Sequence, residues 1–176
     1  MVIALVETAL VSLFALCLVW AAWSDATTLK IPNLCSALIG GAFFLAAAVT
    51  AFGAFPLGWA TFGWHMIAAF GALLACYVLF AFGKLGAGDG KLVAVMMMWL
   101  GPTAGLHFLV AACLAGGAMA LGIMMFRHYP LPLALATNPA AVRLHTKNEI
   151  PYGVPLAIGG FFAIGESHWA PALPFF

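Results

Sequence analysis

Two aspartates stand out as the residues that could do chemistry together. The acidic side chains are Glu7, Asp25, Asp89, Glu149 and Glu166. Asp25 closes a long apolar run and opens the stretch Asp25-Ala26-Thr27-Thr28-Leu29-Lys30-Ile31-Pro32-Asn33. Asp89 stands among glycines, in Gly86-Ala87-Gly88-Asp89-Gly90-Lys91, just ahead of another apolar run. Carboxylates beside hydrocarbon are costly, and function is their default explanation. Two carboxyl groups that share a site cannot easily both ionise, so one proton is held between them. The ionised partner can then take a proton from water while the protonated one polarises a peptide carbonyl. That is hydrolysis by an activated water, with neither a covalent intermediate nor a metal. Protonation belongs to the pair, so base and acid are not assigned individually. Each residue also has a structural alternative. Asp89 could cap the following helix with Lys91 as an interfacial anchor, and Asp25 could be a solvated helix boundary.

The elements that must position these residues lie in a membrane. Two thirds of the 176 residues (66%) are hydrophobic and 6% are charged, with a mean hydropathy of +1.14. A soluble domain carries roughly a quarter charged residues. The length fits one domain over residues 1–176 with no separate soluble module, and the net charge of +1 excludes nucleic acid as a partner. The first apolar run lacks a basic segment ahead of it and is expected to be a retained helix rather than a cleaved signal. Runs long enough to cross a ~30 Å hydrocarbon core need about 20 residues. They fall at 2–22, 34–52, 62–82 and 105–126, with shorter runs at 91–100 and 151–164. The expected fold is therefore an all-α polytopic membrane protein with about six transmembrane helices. Pro32, Pro56, Pro102 and Pro151 sit at the breaks, where a missing N–H is tolerated. Small residues at four-residue spacing (Ser36/Gly40, Ala37/Gly41, Ala118/Gly122) could permit close helix contact.

Orientation follows from the basic residues, of which there are six: Lys30, Lys84, Lys91, Arg127, Arg143 and Lys147. Six crossings put all of them on one side. The positive-inside rule makes that side the cytoplasm and leaves the N-terminus outside. The turn at 101–104 and the tail with Glu166 and His168 share the outer side. Both aspartates then lie at the cytoplasmic level. The run 91–100 would rise only ~15 Å as a helix, which would hold Asp89 at membrane depth in a wet cavity.

Asp25 six residues before Ile31-Pro32-Asn33 resembles the first active-site motif of the type IV prepilin peptidases. Gly86-Ala87-Gly88-Asp89, with Lys91-Leu92 behind it, resembles their GxGD motif, and Pro151-Tyr152-Gly153-Val154-Pro155 the stretch that opens their last helix. The resemblance covers most of the chain in order and spacing. It implies an inner-membrane aspartic endopeptidase that removes, on the cytoplasmic side, the basic leader of a prepilin or pilin-like substrate that also carries an apolar helix. It implies Asp25 and Asp89 as the catalytic pair, Gly86 and Gly88 as shapers of the loop, and no cofactor. Bifunctional members of the family add a loop with paired CxxC zinc ligands and methylate the new pilin N-terminus. This sequence has no CxxC pair and resembles the short, peptidase-only type associated with Flp (tight-adherence) pili. Gly90 departs from the apolar residue usual after the aspartate, which loosens the helix start. Presenilin-like proteases share GxGD but pair it with Tyr-Asp, whereas Ser24 precedes Asp25 here. Their Pro-Ala-Leu matches Pro171-Ala172-Leu173 only by accident.

Other residues are set aside. Cys17, Cys35, Cys76 and Cys113 read as small buried apolar residues. His65, His107, His128, His145 and His168 lack metal-ligand spacing. Met96-Met97-Met98 fills gaps between helices. Trp20, Trp23, Trp59, Trp64 and Trp169 read as interfacial anchors, and Glu7 reaches headgroups. Residues 127–149 either lie along the inner surface or meet the substrate. The rival from another class is a small carrier or proton-linked protein whose aspartates bind a cation or shuttle protons.

Overall fold

The computed structural model describes residues 2–51, 57–131, 133–146 and 150–170. Lys147, Glu149, Pro132 and the segment 171–173 lie outside them. The described residues form six α-helices: α1 Val2–Thr28, α2 Asn33–Thr50, α3 Trp59–Ala81, α4 Ala87–His128, α5 Pro139–Thr146 and α6 Gly153–Ile164. A 3-10 turn at Leu133–Leu135 precedes α5, and no strand occurs among the described residues. Helices α1 to α4 are long and apolar enough to cross a membrane. The chain is a multi-pass membrane protein.

The 42 residues of α4 do not form one rod. Gly101 has φ 70° and ψ −176° and Pro102 follows it, a backbone region essentially reserved for glycine. Adjacent glycines of α6 show what the break achieves. A Cβ on Gly159 would lie 2.7 Å from the Phe108 carbonyl oxygen, and one on Gly160 would run into Met96 Cε. A straight helix would hold residues 96 and 108 ~18 Å apart. The arms 87–100 and 102–128 therefore fold back side by side, with α6 against both. The expected separate runs 91–100 and 105–126 are thus two antiparallel arms joined at the break.

Breaking a helix where it is buried in the bundle frees carbonyls that must find donors. Pro102 has no N–H for the Met98 carbonyl, which accepts instead from His65 Nδ1 at 2.7 Å. The Trp99 carbonyl accepts from Trp169 Nε1 at 2.9 Å. Trp99 Nε1 in turn donates to the Ile39 carbonyl at 2.8 Å. Around these bonds Phe14, Phe43, Trp99 and Trp169 form an aromatic core, with Trp99 5.1 Å from both Phe14 and Trp169. Lipid tails are as apolar as these side chains, so close packing and hydrogen bonds hold the helices together rather than burial from water.

Several expectations change. Trp169 is 2% exposed and belongs to the core, not to an interfacial belt; Trp20, Trp23, Trp59 and Trp64 do face outward. Cys113 is exposed, while the other three cysteines are buried. Of the small-residue pairs, Gly41 and Gly122 face open space, and the close contact falls at Gly159-Gly160 instead. Met96 and Met97 are buried at gaps left by glycine, Met97 against Gly105. The helix α1 runs on past residue 22 to Thr28.

The segment after α4 folds back onto the bundle. Asn138 starts α5, its Oδ1 accepting from Ala140 N–H at 3.0 Å, with Pro139 at the first helical position. Arg127 Nε donates to the Leu144 carbonyl at 2.7 Å, and Arg143 Nη1 donates to the Thr27 carbonyl at 3.0 Å. Helix α5 is thereby tied to the ends of α4 and α1, at the end of the bundle that holds Lys30, Lys84 and Lys91. At the other end, His107 pairs with Glu166, near the turn at Gly101.

Candidate active site

Asp25 sits in the last turn of α1, not in the loop after it. It is 4% exposed, and its Oδ2 accepts the Gly153 N–H at 2.6 Å. Gly153 opens α6, so this N–H is one of the donors a helix start leaves without an internal partner. Beyond Asp25, Leu29 takes φ 56°, a left-handed conformation costly for a branched side chain. Ser24 Oγ donates to the Lys30 carbonyl at 2.8 Å and holds that turn, which sends Ile31-Pro32-Asn33 toward α4.

Asp89 is in the first turn of α4. It does not cap the helix: Gly86 occupies that position, and no side chain caps it. The glycines of this loop meet specific neighbours. A Cβ on Gly86 would lie 2.7 Å from Asp89 Oδ2, and one on Gly88 would lie 3.3 Å from Ile31 Cβ and 3.4 Å from the Ile31 carbonyl oxygen. Two residues further on, Lys91 Nζ donates to Asn33 Oδ1 at 2.9 Å. The Ile-Pro-Asn segment and the glycine loop thus interlock. Gly90 is buried, with a Cβ there 3.0 Å from Cys76 Cβ. A larger residue would push α3 from α4, so glycine here closes an interhelical contact.

Asp25 and Asp89 line one cavity of about 620 Å³, together with Leu29, Ile31, Gly86 and Tyr152. Lys30 and Lys84 also border it. Two helix starts converge on the aspartates, that of α6 on Asp25 and that of α4 on Asp89, and their positive dipole ends favour a negative charge there. The cavity therefore joins two carboxyl groups, a fixed backbone donor and space for a peptide segment. Gly86 and Gly88 lie in its lining as well.

The sequence reading did not give Gly153 a role beside Asp25, nor did it join Lys91 to Asn33. The Pro-Tyr-Gly stretch marked where α6 begins. The Gly153–Asp25 bond spans 128 residues, which no local spacing encodes.

The Type IV leader peptidase family matches residues 12–121. The matched stretch holds Asp25, Ile31-Pro32-Asn33 and Gly86–Lys91 and ends before α6. Searches of curated proteins and of solved structures found no match. A match over more than half of the length, on a multi-pass helical body, makes this chain a member of the type IV leader peptidase family and a leader-peptidase-like protease.

Proposed function

We propose that this protein is an aspartic endopeptidase of the inner membrane that removes the basic leader of a prepilin, with Asp25 and Asp89 as its catalytic pair. The observation that carries this reading is the single cavity lined by two aspartates from distant parts of the chain. A water between the carboxyl groups gives a proton to the ionised partner and attacks the scissile carbonyl. The protonated partner hydrogen-bonds the carbonyl oxygen as negative charge builds there. Collapse of the tetrahedral adduct breaks the C–N bond, and a carboxyl proton leaves with the amine. The Gly153 N–H fixes the Asp25 carboxyl throughout, and Gly86 and Gly88 shape the loop around Asp89.

The site faces the cytoplasm in this reading, with the N-terminus outside, because Lys30, Lys84, Lys91, Arg127 and Arg143 lie toward its end of the bundle. The arm 87–100 rises ~21 Å, less than the ~30 Å of hydrocarbon. With its Gly101 end at the outer surface, Asp89 lies below the cytoplasmic surface in a water-reached hollow. Purified protein in detergent, given a prepilin-like substrate, should release the leader as a fragment of defined mass. A carrier or proton-linked protein cleaves nothing, and an intact substrate would refute the assignment.

A further inference from the structure

A second hollow lies beside the catalytic cavity. Helices α2 and α3 both pack on α4, yet they meet one another through Phe43, Phe44 and Phe62 and leave a groove of about 420 Å³ between them. Its floor is the first arm of α4, at Ala94 and Met98, and its walls carry Ala37 and Phe44 from α2 and Phe70 and Leu73 from α3. Along α2 it runs from Asn33 to Phe44, ~16 Å or about three helical turns. Almost all of its surface is apolar.

Two features distinguish it from a lipid-filled crevice. First, it abuts the catalytic cavity. Asn33 and Lys91 line its end and are bonded to each other. Two residues before each of them, Ile31 and Asp89 line the cavity. Second, Ser36 lines the groove, is 8% exposed, and its Oγ is buried with no hydrogen-bond partner. An unpaired hydroxyl away from water is costly. An acyl chain offers it nothing, whereas a helix bearing a polar side chain does.

We propose that this groove seats the apolar helix of the substrate, holding about three turns of it while the leader junction lies between Asp25 and Asp89, and that Ser36 Oγ bonds a polar side chain of that helix. The inference rests on the peptidase reading above. A membrane-anchored substrate must give up its bond to the cavity while its helix stays in the bilayer, and the groove begins where the cavity ends. The helix leaves the cavity across the Asn33–Lys91 bridge and enters an apolar slot of matching chemistry.

The test compares two substrates, a prepilin-like protein with its apolar helix and a short soluble peptide spanning only the leader junction. Ala37→Trp and Ala94→Trp fill the groove without touching the aspartates. Each should raise KM for the helix-bearing substrate by about tenfold or more, the loss of roughly one buried side-chain contact. Each should leave kcat/KM for the soluble peptide unchanged. Ser36→Ala should raise KM about 2- to 10-fold for the helix-bearing substrate alone. An unchanged KM in all three variants would overturn the groove while leaving the peptidase reading intact; wild-type protein that cleaves neither substrate would overturn both. Should the tryptophan variants fail on both substrates through misfolding, a photoreactive phenylalanine analogue at position 73 in the Asp89→Asn background decides the matter. Cross-links to the substrate helix uphold the proposal. Cross-links only to lipid or to a second copy of this chain overturn it.

Discussion

Replacing either aspartate by asparagine should lower kcat by about 10⁴-fold or more, the scale seen when one member of a catalytic unit is removed. Asparagine keeps the size of the side chain and an oxygen that can accept the Gly153 N–H, now held at 2.6 Å by Asp25. The start of α6 should therefore stay docked on α1, and both variants should insert and fold normally. What asparagine cannot do is exchange a proton with water at this site. In the proposed mechanism both carboxyls serve one reaction, so the Asp25→Asn/Asp89→Asn double variant should be little slower than either single one. Measured kcat on a leader-junction peptide decides this. Substantial activity in one single variant would remove that residue from the mechanism.

A larger role than its size suggests falls to Gly153. A methyl group there would sit 2.8 Å from Asp25 Cβ and 3.0 Å from Oδ2, closer than such atoms pack, so the carboxyl must move. Displacing a catalytic group by about 1 Å can cost 10²-fold. Gly153→Ala should accordingly reduce kcat by about 10²-fold with little change in KM. Gly117 and Gly122, which have no atom within 4 Å of a Cβ, provide the controls. Alanine at either should leave kcat unchanged, and alanine suits a helix better than glycine does. Full activity in Gly153→Ala would show that the fixed seat of Asp25 is dispensable.

The parts of this architecture visible in the sequence are those written in local pattern. Apolar runs gave the helices, because lipid demands long stretches with satisfied backbone. The described basic residues lie toward one end, and the resemblance of Asp25 to Asn33 and of Gly86 to Asp89 to the motifs of one family picked out the two segments that interlock through Ile31 and Gly88. What escaped depends on contacts between distant residues. The continuation of α1 through Asp25 was hidden because Ser24-Asp25 reads as a polar boundary, although Thr27 and Thr28 hydroxyls bond back to the Trp23 and Ser24 carbonyls within the helix. Trp169 looked like an interfacial anchor, since nothing nearby reveals that its N–H serves the Trp99 carbonyl. The departure at Gly90 read as a loosened helix start. Its reason is the approach of Cys76 from another helix.

The most direct test of the central claim, that Asp25 and Asp89 act as one proton-sharing pair, is a pH–rate profile. It requires purified protein and a leader-junction peptide without groups that titrate in the range. In the proposed mechanism cleavage needs one ionised and one protonated carboxyl at the same time. Raising the pH removes the remaining shared proton, and with it the donor to the scissile carbonyl. The rate should therefore fall on the alkaline side while the protein stays folded. A rate that stays flat well above neutral pH would contradict the mechanism, even if both aspartates proved essential.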